Sequence, residues 1–311
     1  MVHSPLDPEL IAELERRSAR LAELFDLSAL EGHGETTAQI KRYYEESRIG
    51  YRYVHSKAGA MHMAINPDGT FDRTGYEGQA ELVQARLSDA DHDILELACG
   101  NGFNLELLAA RNPQRSFVGI DLVESQIGRA REALASLPNA AVQVGDFQAL
   151  DFAADSFDFV FVVESFCHAT DLPRAFEEVR RVLRPGGTFV VIDAWRTARY
   201  GDAPDVVREM AANVELAMAV SAAMPVDRWD AAAVEHGFTI VEELDLSNAI
   251  KPNLARLARG AEKFLAHPRL ASLARMFLPK SLVQNAVAGY LMPVTVELGV
   301  HTYRRIILQA D

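Results

Sequence analysis

The sequence predicts an α/β protein built on a doubly wound, mostly parallel seven-stranded sheet, and three observations carry that reading. Short apolar segments alternate with helical ones through the middle of the chain, a glycine pair (Gly100 and Gly102) follows the first of them, and the second ends on an acid, Asp121. Near-continuous apolar strands separated by helices are what a parallel sheet covered on both faces requires. Glycines at the first strand-to-helix turn let the backbone take positive φ and lie directly against a ligand at a helix N-terminus. An acid nineteen residues beyond Gly102 stands where such a sheet presents a carboxylate to a ribose.

The seven strands are expected at Ile94 to Ala98, Phe117 to Asp121, Val142 to Gly145, Phe157 to Glu164, Thr188 to Ala194, Thr239 to Leu246 and His301 to Gln309. Helices are expected between them at Asn104 to Arg111, Val123 to Leu137, Leu172 to Leu183 and Asp227 to His236. Ahead of the sheet, Asp7-Pro8 reads as an N-cap followed by proline at the first helical position, opening a helix whose leucines recur up to Leu30. Thr36 with Gln39 has the spacing of a capping box for a second helix through Tyr43 and Tyr44. Asn66-Pro67-Asp68-Gly69 signals a turn, and Gly75 to Leu87 regains a helical pattern. Residues 1–75 thus form an expected helical cap and 76–311 the sheet domain. Methionine- and leucine-bearing insertions at 195–226 and 247–299 are expected lids.

Composition narrows the function. Hydrophobic residues make up 49% of the 311, enough for a sizeable core, and 44 acids against 31 Lys and Arg leave a net charge of −13. That balance argues against a nucleic-acid partner, which would need a dense basic surface. The two cysteines, Cys99 and Cys167, make no disulfide framework or zinc spacing, and with no leader or membrane-spanning run a reducing cytoplasm is the expected compartment. No clustered ligand spacing indicates a metal. The oligomeric state stays open, a homo-oligomer included.

A dinucleotide fingerprint would place a third glycine three residues after Gly102, where this chain has Leu105, so a nicotinamide oxidoreductase is disfavoured. Glu96-Leu-Ala-Cys-Gly-Asn-Gly102, Asp121, Gly145-Asp146-Phe147 and Leu183-Arg-Pro-Gly-Gly187, in that order, resemble the class I S-adenosylmethionine-dependent methyltransferases, whose fold is Rossmann-like. The resemblance implies S-adenosylmethionine as cofactor. It further implies Glu96, Ala98, Gly100 and Gly102 around the methionine moiety, Asp121 on the ribose hydroxyls, and Asp146 with the backbone of Phe147 at the adenine.

Methyl transfer from a sulfonium chiefly needs alignment in a dry site and a way to handle a proton. Val163-Glu164-Ser165-Phe166-Cys167-His168 follows the fourth strand at the carboxyl end of the sheet, so Glu164 and His168 are the candidate catalytic pair. The segment Glu164 to Ala169 is similar to the one that follows the fourth strand in sterol C-methyltransferases. The stretch Tyr43 to His62 resembles the tyrosine-rich helix of sterol, tocopherol, cyclopropane-forming and prenyl-diphosphate methyltransferases. It departs from them in lacking their tryptophan and His-x-Gly, reading Tyr51-Arg52-Tyr53-Val54-His55 and then Met61-His62-Met63-Ala64. Methylating an alkene makes a carbocation, for which Tyr43, Tyr44, Tyr51, Phe166 and Trp195 are candidate aromatic faces. The resemblance implies carbon of an isoprenoid-like chain as the expected target on a small lipophilic acceptor. O- or N-methylation of a phenol, quinone or amine is the first alternative, and a non-catalytic cofactor- or lipid-binding protein the second. A diphosphate acceptor would bring its own Mg²⁺. Arg48, Arg52 and Lys57 read as a solvated charged run rather than a phosphate site.

Overall fold

The computed structural model describes residues 4–24, 27–30, 36–50, 56, 59–221, 223–266 and 280–311. The expected contributions of Tyr51, Arg52, Lys57 and residues 267–279 lie outside them, as does the side chain of Arg48.

The sheet has seven strands: β1 Asp93–Leu97, β2 Ser116–Asp121, β3 Ala140–Val144, β4 Phe157–Val163, β5 Leu183–Arg196, β6 Phe238–Asp245 and β7 His301–Ala310. They lie in the order β3-β2-β1-β4-β5-β7-β6. The first five are parallel and β7 runs antiparallel to both its neighbours. The order reverses between β1 and β4, and ligands of doubly wound sheets bind outside the strand ends at that switch point.

Helices cover both faces: α1 Pro8–Ala22, α2 Thr37–Gly50, α3 Gly78–Gln84, α4 Phe103–Arg111, α5 Glu124–Ala133, α6 Leu172–Val182, α7 Arg199–Asp202, α8 Asp205–Ala217, α9 Val226–Glu235, α10 Ser247–Leu265 and α11 Lys280–Glu297. On one face Phe166, Phe176, Phe189, Trp195 and Trp229 form an aromatic cluster. On the other, Leu105, Leu108 and Ile127 pack against Phe117, Phe159 and Phe161.

Both expected caps form. The Asp7 side chain accepts from Glu9 N–H at 2.8 Å, while Thr36 N–H donates to Gln39 Oε1 at 2.9 Å and Gln39 N–H to Thr36 Oγ1 at 3.3 Å. Several boundaries shift for identifiable reasons. The first helix ends at Ala22, short of the expected Leu30, with a separate 3-10 turn at Leu27–Leu30. Helix α5 stops at Ala133 rather than Leu137, because Leu137 precedes Pro138 and such a residue is driven out of the helical region. The expected helix from Gly75 splits into a 3-10 turn at Arg73–Glu77, capped by Asp72, and the short α3. Strand β5 runs past Ala194, since β7 supplies partners for Trp195 (Thr302) and Arg196 (His301). At the other end of β5, Leu183 pairs with Phe157 and Thr188 with Phe159, so residues 184–187 bulge out of the ladder. There Arg184 bonds Asp158 at 2.5 Å and Asp93 at 2.9 Å, tying three strands together at the edge of the sheet away from the strand carboxyl ends.

Helices α1, α8, α10 and α11 share one apolar cluster, in which Leu14 and Leu21 meet Val207, Met210, Val214, Leu265 and Leu291. The first helix of the expected cap and the helices of both expected lids therefore pack as one layer over the carboxyl end of the sheet. That layer roofs the site.

Candidate functional site

Two cavities open at the carboxyl ends of the strands. The first, of about 940 Å³ including its mouth, lies over β1, β2 and α4, and the second, of about 840 Å³, over β5 and β7 beneath the helical layer. Tyr44, Met61, Glu164 and His168 line both, so the cavities meet there.

The first cavity is built on the turn after β1. Ala98, Gly100 and Gly102 all have positive φ (52°, 55° and 84°), which coils the chain under the ligand space before α4 begins. At Gly102 an added Cβ would meet the Ala130 side chain at 3.1 Å, so helix α5 also demands glycine there. Leu105 fills the position a third glycine would leave open. Its side chain lies where a Cβ on Gly119 would meet it at 2.3 Å, so the close approach of α4 to β2 comes from the strand's glycine.

Asp121 holds this turn together. Its Oδ2 accepts from Gly100 N–H at 2.9 Å and its Oδ1 from Val123 N–H at 2.8 Å, leaving lone pairs on both oxygens toward the cavity it lines. Burial raises its pKa, and the two backbone N–H bonds oppose the rise. Across the cavity stand three deeply buried polar residues. Glu96 Oε1 accepts from Asn104 Nδ2 at 3.0 Å, and His62 Nδ1 meets Met63 O at 3.3 Å. Glu96 Oε2, Asn104 Oδ1 and His62 Nε2 have no partner. Burial pushes Glu96 up to about 8 and His62 down to about 4. Phe147 lines the cavity floor with its ring stacked on Phe166 at 5.5 Å. Asp146 is not among the lining residues; its Oδ1 accepts from Gln148 N–H at 2.9 Å and so stabilises its own turn.

Glu164 stands at the junction. It has φ +47°, a strained conformation for a residue with a side chain, held by its N–H bonding Ile192 O at 2.8 Å. Its Oε1 accepts from Met63 N–H and from Tyr303 Oη–H, both at 2.7 Å, leaving Oε2 for the cavities. Gln79 Nε2 donates to Tyr303 Oη at 2.9 Å and to Met63 O at 2.6 Å, closing a ring of hydrogen bonds around the carboxylate. Burial raises Glu164 to about 7 against the pull of those two bonds.

His168 is already committed. Its Nδ1 lies 3.1 Å from Ala219 O, which can only accept, so Nδ1 carries the proton and Nε2 accepts from Tyr44 Oη–H at 2.8 Å. Burial lowers its pKa to about 4, keeping the ring neutral. The imidazole therefore links α2 to the chain after α8, and Tyr44 stands between it and any other proton.

The expected aromatic faces divide. Tyr44 lines both cavities and Trp195 the second. Phe166 lines neither: it is 1% exposed, with Phe147, Phe176, Phe189 and Trp229 packed around it, so this candidate is a core residue. Tyr43 lines neither either, its hydroxyl donating to Asn285 on α11 at 2.5 Å. Tyr51 lies outside the described residues.

Sequence reasoning missed Tyr303, Gln79, Asn104 and Asp193. Asp193, which ends the apolar run of β5, accepts from Cys167 N–H at 3.0 Å and is raised by burial to about 6. The signal for Asp193 was an acid closing an apolar run, whereas Tyr303 stands among polar residues at the start of β7 and gave none. Among the described residues no Lys or Arg lines the second cavity, and no group of three or more His, Cys, Asp or Glu could hold a metal ion. Glu215, which does line it, is matched by Arg196 at 2.6 Å and His301 at 3.0 Å. No described helix is long and apolar enough to cross a membrane.

Residues 95–191 match the family described as "Methyltransferase domain". The chain is 34% identical over 179 residues to a 24-methylenesterol C-methyltransferase of Oryza sativa subsp. japonica, covering 56% of this chain and 48% of that one. It is 28% identical over 232 residues to an S-adenosyl-L-methionine-dependent Diels-Alderase of Talaromyces variabilis, covering 68% of this chain and 77% of that one. The chain spans less than half the length of the first sterol methyltransferases it matches. In fold it is similar to the geranyl diphosphate C-methyltransferase of Streptomyces coelicolor A3(2), with a TM-score of 0.65 and 18% identity over 88% of this chain and 97% of that one. The sheet and its helices are the class I methyltransferase fold.

Proposed function

We propose that this chain binds S-adenosylmethionine in the first cavity and transfers its methyl group to carbon of a small, isoprenoid-like acceptor in the second. The observation that carries the reading is the junction: one carboxylate, Glu164, lines both cavities and keeps Oε2 open to them. The first cavity suits the cofactor. It has a positive-φ cradle for the methionine portion at Ala98, Gly100 and Gly102, an acid with spare lone pairs for the ribose hydroxyls at Asp121, and an apolar floor at Phe147 for the adenine. Asp146 acts by shaping that floor's turn. When bound, the cofactor supplies an electrophilic methyl group on a sulfonium.

The chain's own residues do the rest. The second cavity excludes water with Met63, Trp195, Met218, Ile250 and Met292, which suits a hydrocarbon acceptor. When a C–C bond forms at one alkene carbon, positive charge develops on the other, facing Glu164 and the rings of Tyr44 and Trp195. Glu164 Oε2 then takes a proton from the carbon beside that charge, and the C–H electron pair restores the double bond. His168 serves by holding Tyr44. Its lone pair is occupied, so Glu164 is the base of the two candidates.

The test is to incubate the protein with methyl-labelled S-adenosylmethionine and a panel of sterols, terpenoid alcohols, prenyl diphosphates, phenols, quinones and amines. Label on carbon of an isoprenoid supports the reading, and label on oxygen or nitrogen replaces it with the alternative acceptors. The Talaromyces relative favours one second reading, in which bound cofactor stays intact while the second cavity folds a substrate for ring closure. Product formation without S-adenosylhomocysteine would select that reading.

A further inference from the structure

We infer that Asp193 is a positioning residue for Glu164: its carboxylate pins the turn that carries the proposed base and sets a second buried negative charge beside it, so that the two acids work as a pair in which Glu164 takes the acceptor's proton and Asp193 stays ionised. The inference rests on the base proposed for the second cavity. Neighbouring strands bring the two together. The β4–β5 register pairs Val163 with Ile192, so Glu164 and Asp193 are the next residues on adjacent parallel strands, and both line the second cavity. Two bonds lace these strand ends: Glu164 N–H donates to Ile192 O at 2.8 Å, and Cys167 N–H to Asp193 Oδ2 at 3.0 Å. The first holds Glu164 at its φ of +47°, a conformation that persists only where the surroundings over-determine it, and the second fixes the far side of the same turn.

Asp193 is 2% exposed and takes its hydrogen bonds from backbone N–H groups, Ala194 at 2.8 Å besides Cys167. Arg304, opposite it in the β5–β7 register, turns its guanidinium to Glu243 at 2.8 Å and Thr302 at 3.2 Å. A buried carboxylate costs free energy unless its charge is answered, and here N–H groups answer it in place of a cation. Their geometry leaves a fixed negative field at the end of the sheet. A cation that develops in the second cavity would meet that field as well as Glu164.

Around Glu164 stand Tyr303 from β7, Tyr44 from α2, Tyr76 from the 3-10 turn before α3, Cys167 and His168 from its own turn, and Asp193 from β5. Burial drives the tyrosines and the thiol up and His168 down to about 4, so these five are neutral near pH 7. Of the six, Asp193 brings the charge. The pair then titrates in order. Asp193, raised by burial to about 6 against the pull of its N–H bonds, ionises first, and its charge adds to the burial that lifts Glu164 to about 7. A base near 7 is free to accept at neutral pH and strong enough to draw a proton from carbon beside a cation.

The test reads the two carboxyl groups directly, by infrared difference spectra of the full chain across the neutral pH range. Subtracting Glu164→Gln from the parent isolates Glu164, and subtracting Asp193→Asn isolates Asp193. The parent is expected to show steps near 7 and near 6 for the two acids. In Glu164→Gln the lower step is expected to stay, because Glu164 is still neutral when Asp193 ionises. In Asp193→Asn, which keeps an oxygen for Cys167 N–H and loses the charge, the Glu164 step is expected to fall by about one pH unit, the scale of coupling between interacting acids. With a methylated acceptor in hand, the acidic limb of kcat is expected to move down with it while the plateau drops, since a weaker base works at lower pH, so the variant and parent profiles cross. An unchanged circular-dichroism spectrum shows that the variant is folded, and Asp193→Ser serves the same measurement where Asp193→Asn is not. A Glu164 step that stays at its parent pH in a folded variant, or a kcat profile lowered uniformly without moving, assigns Asp193 to packing and overturns the inference. Turnover unchanged in Glu164→Gln overturns the base proposal instead, a result read separately from the titration.

Discussion

In the first cavity the groups that shape the ligand space lie mostly between Glu96 and Phe147, and the key acid there, Asp121, bonds to backbone N–H groups. In the second, the groups come from Tyr44, Glu164, Asp193, Glu215 and Tyr303, far apart in the chain, and all but Asp193 are held by side chains from elsewhere: Tyr44 by His168, Glu164 by Tyr303, and Glu215 by Arg196 and His301. Backbone-anchored sites can be written in a short motif, because local φ and turn geometry place every atom. A cavity held side chain to side chain exists only once distant elements have packed.

Phe166→Ala should cost about 3–5 kcal/mol of stability, the usual range for emptying a packed phenylalanine site, measured by urea unfolding. A drop in acceptor affinity with stability unchanged would instead return Phe166 to the second cavity. Glu164→Gln should lower turnover by about 10²–10⁴-fold while S-adenosylhomocysteine binding stays within about twofold, since the carboxylate belongs to the junction and not to the cradle. In the parent, kcat should rise with pH through about 7, because the base acts ionised and burial has lifted Glu164 to that value. Gly102→Ala should cost about 1–2 kcal/mol, the penalty of a left-handed conformation with a Cβ, and weaken the cofactor with no change in acceptor preference.

The ligand-free protein should also lose thermal stability between pH 6.5 and about 8. Glu96 and Glu164 have folded pKa values of about 8 and 7, above the ordinary 4.5, so in this window the native state binds more protons than the unfolded one and stability falls as pH rises. His62 and His168, lowered to about 4, contribute in the opposite sense, but only up to their ordinary 6.5. Glu96→Gln should flatten the melting-temperature profile; a profile rising through this window would contradict buried neutral acids. The smallest effect is expected for Tyr303→Phe, a few-fold loss of kcat with the acidic limb moved to higher pH, because one of the two bonds that hold Glu164 down is removed. An unmoved limb would show that Tyr303 only packs.

The legible parts share a cause. The capping box at Thr36 and Gln39, the cradle at Gly100 and Gly102, and Asp121 all rest on contacts within a few residues or across adjacent parallel strands. Each was readable from spacing. The candidates that the structure relocates, Phe166 and Tyr43, were chosen for residue type beside a motif, and type does not say which way a ring turns. Phe166 points into a pre-existing aromatic cluster, and Tyr43 finds Asn285 far along the chain. His168 lines both cavities, but its bonds to Ala219 and Tyr44 depend on two elements outside the sheet.

Strand period and glycine conformation are local physics, so the succession of seven apolar segments, the glycine cradle, the acid after the second strand and the carboxylate after the fourth can all be read from the chain alone. That β7 brings Tyr303 against Glu164, that His62 comes to rest beside Asn104 and Glu96, and that α1, α8, α10 and α11 share one roof depends on how distant segments pack. Those meetings come from burying apolar faces that no single segment could cover alone.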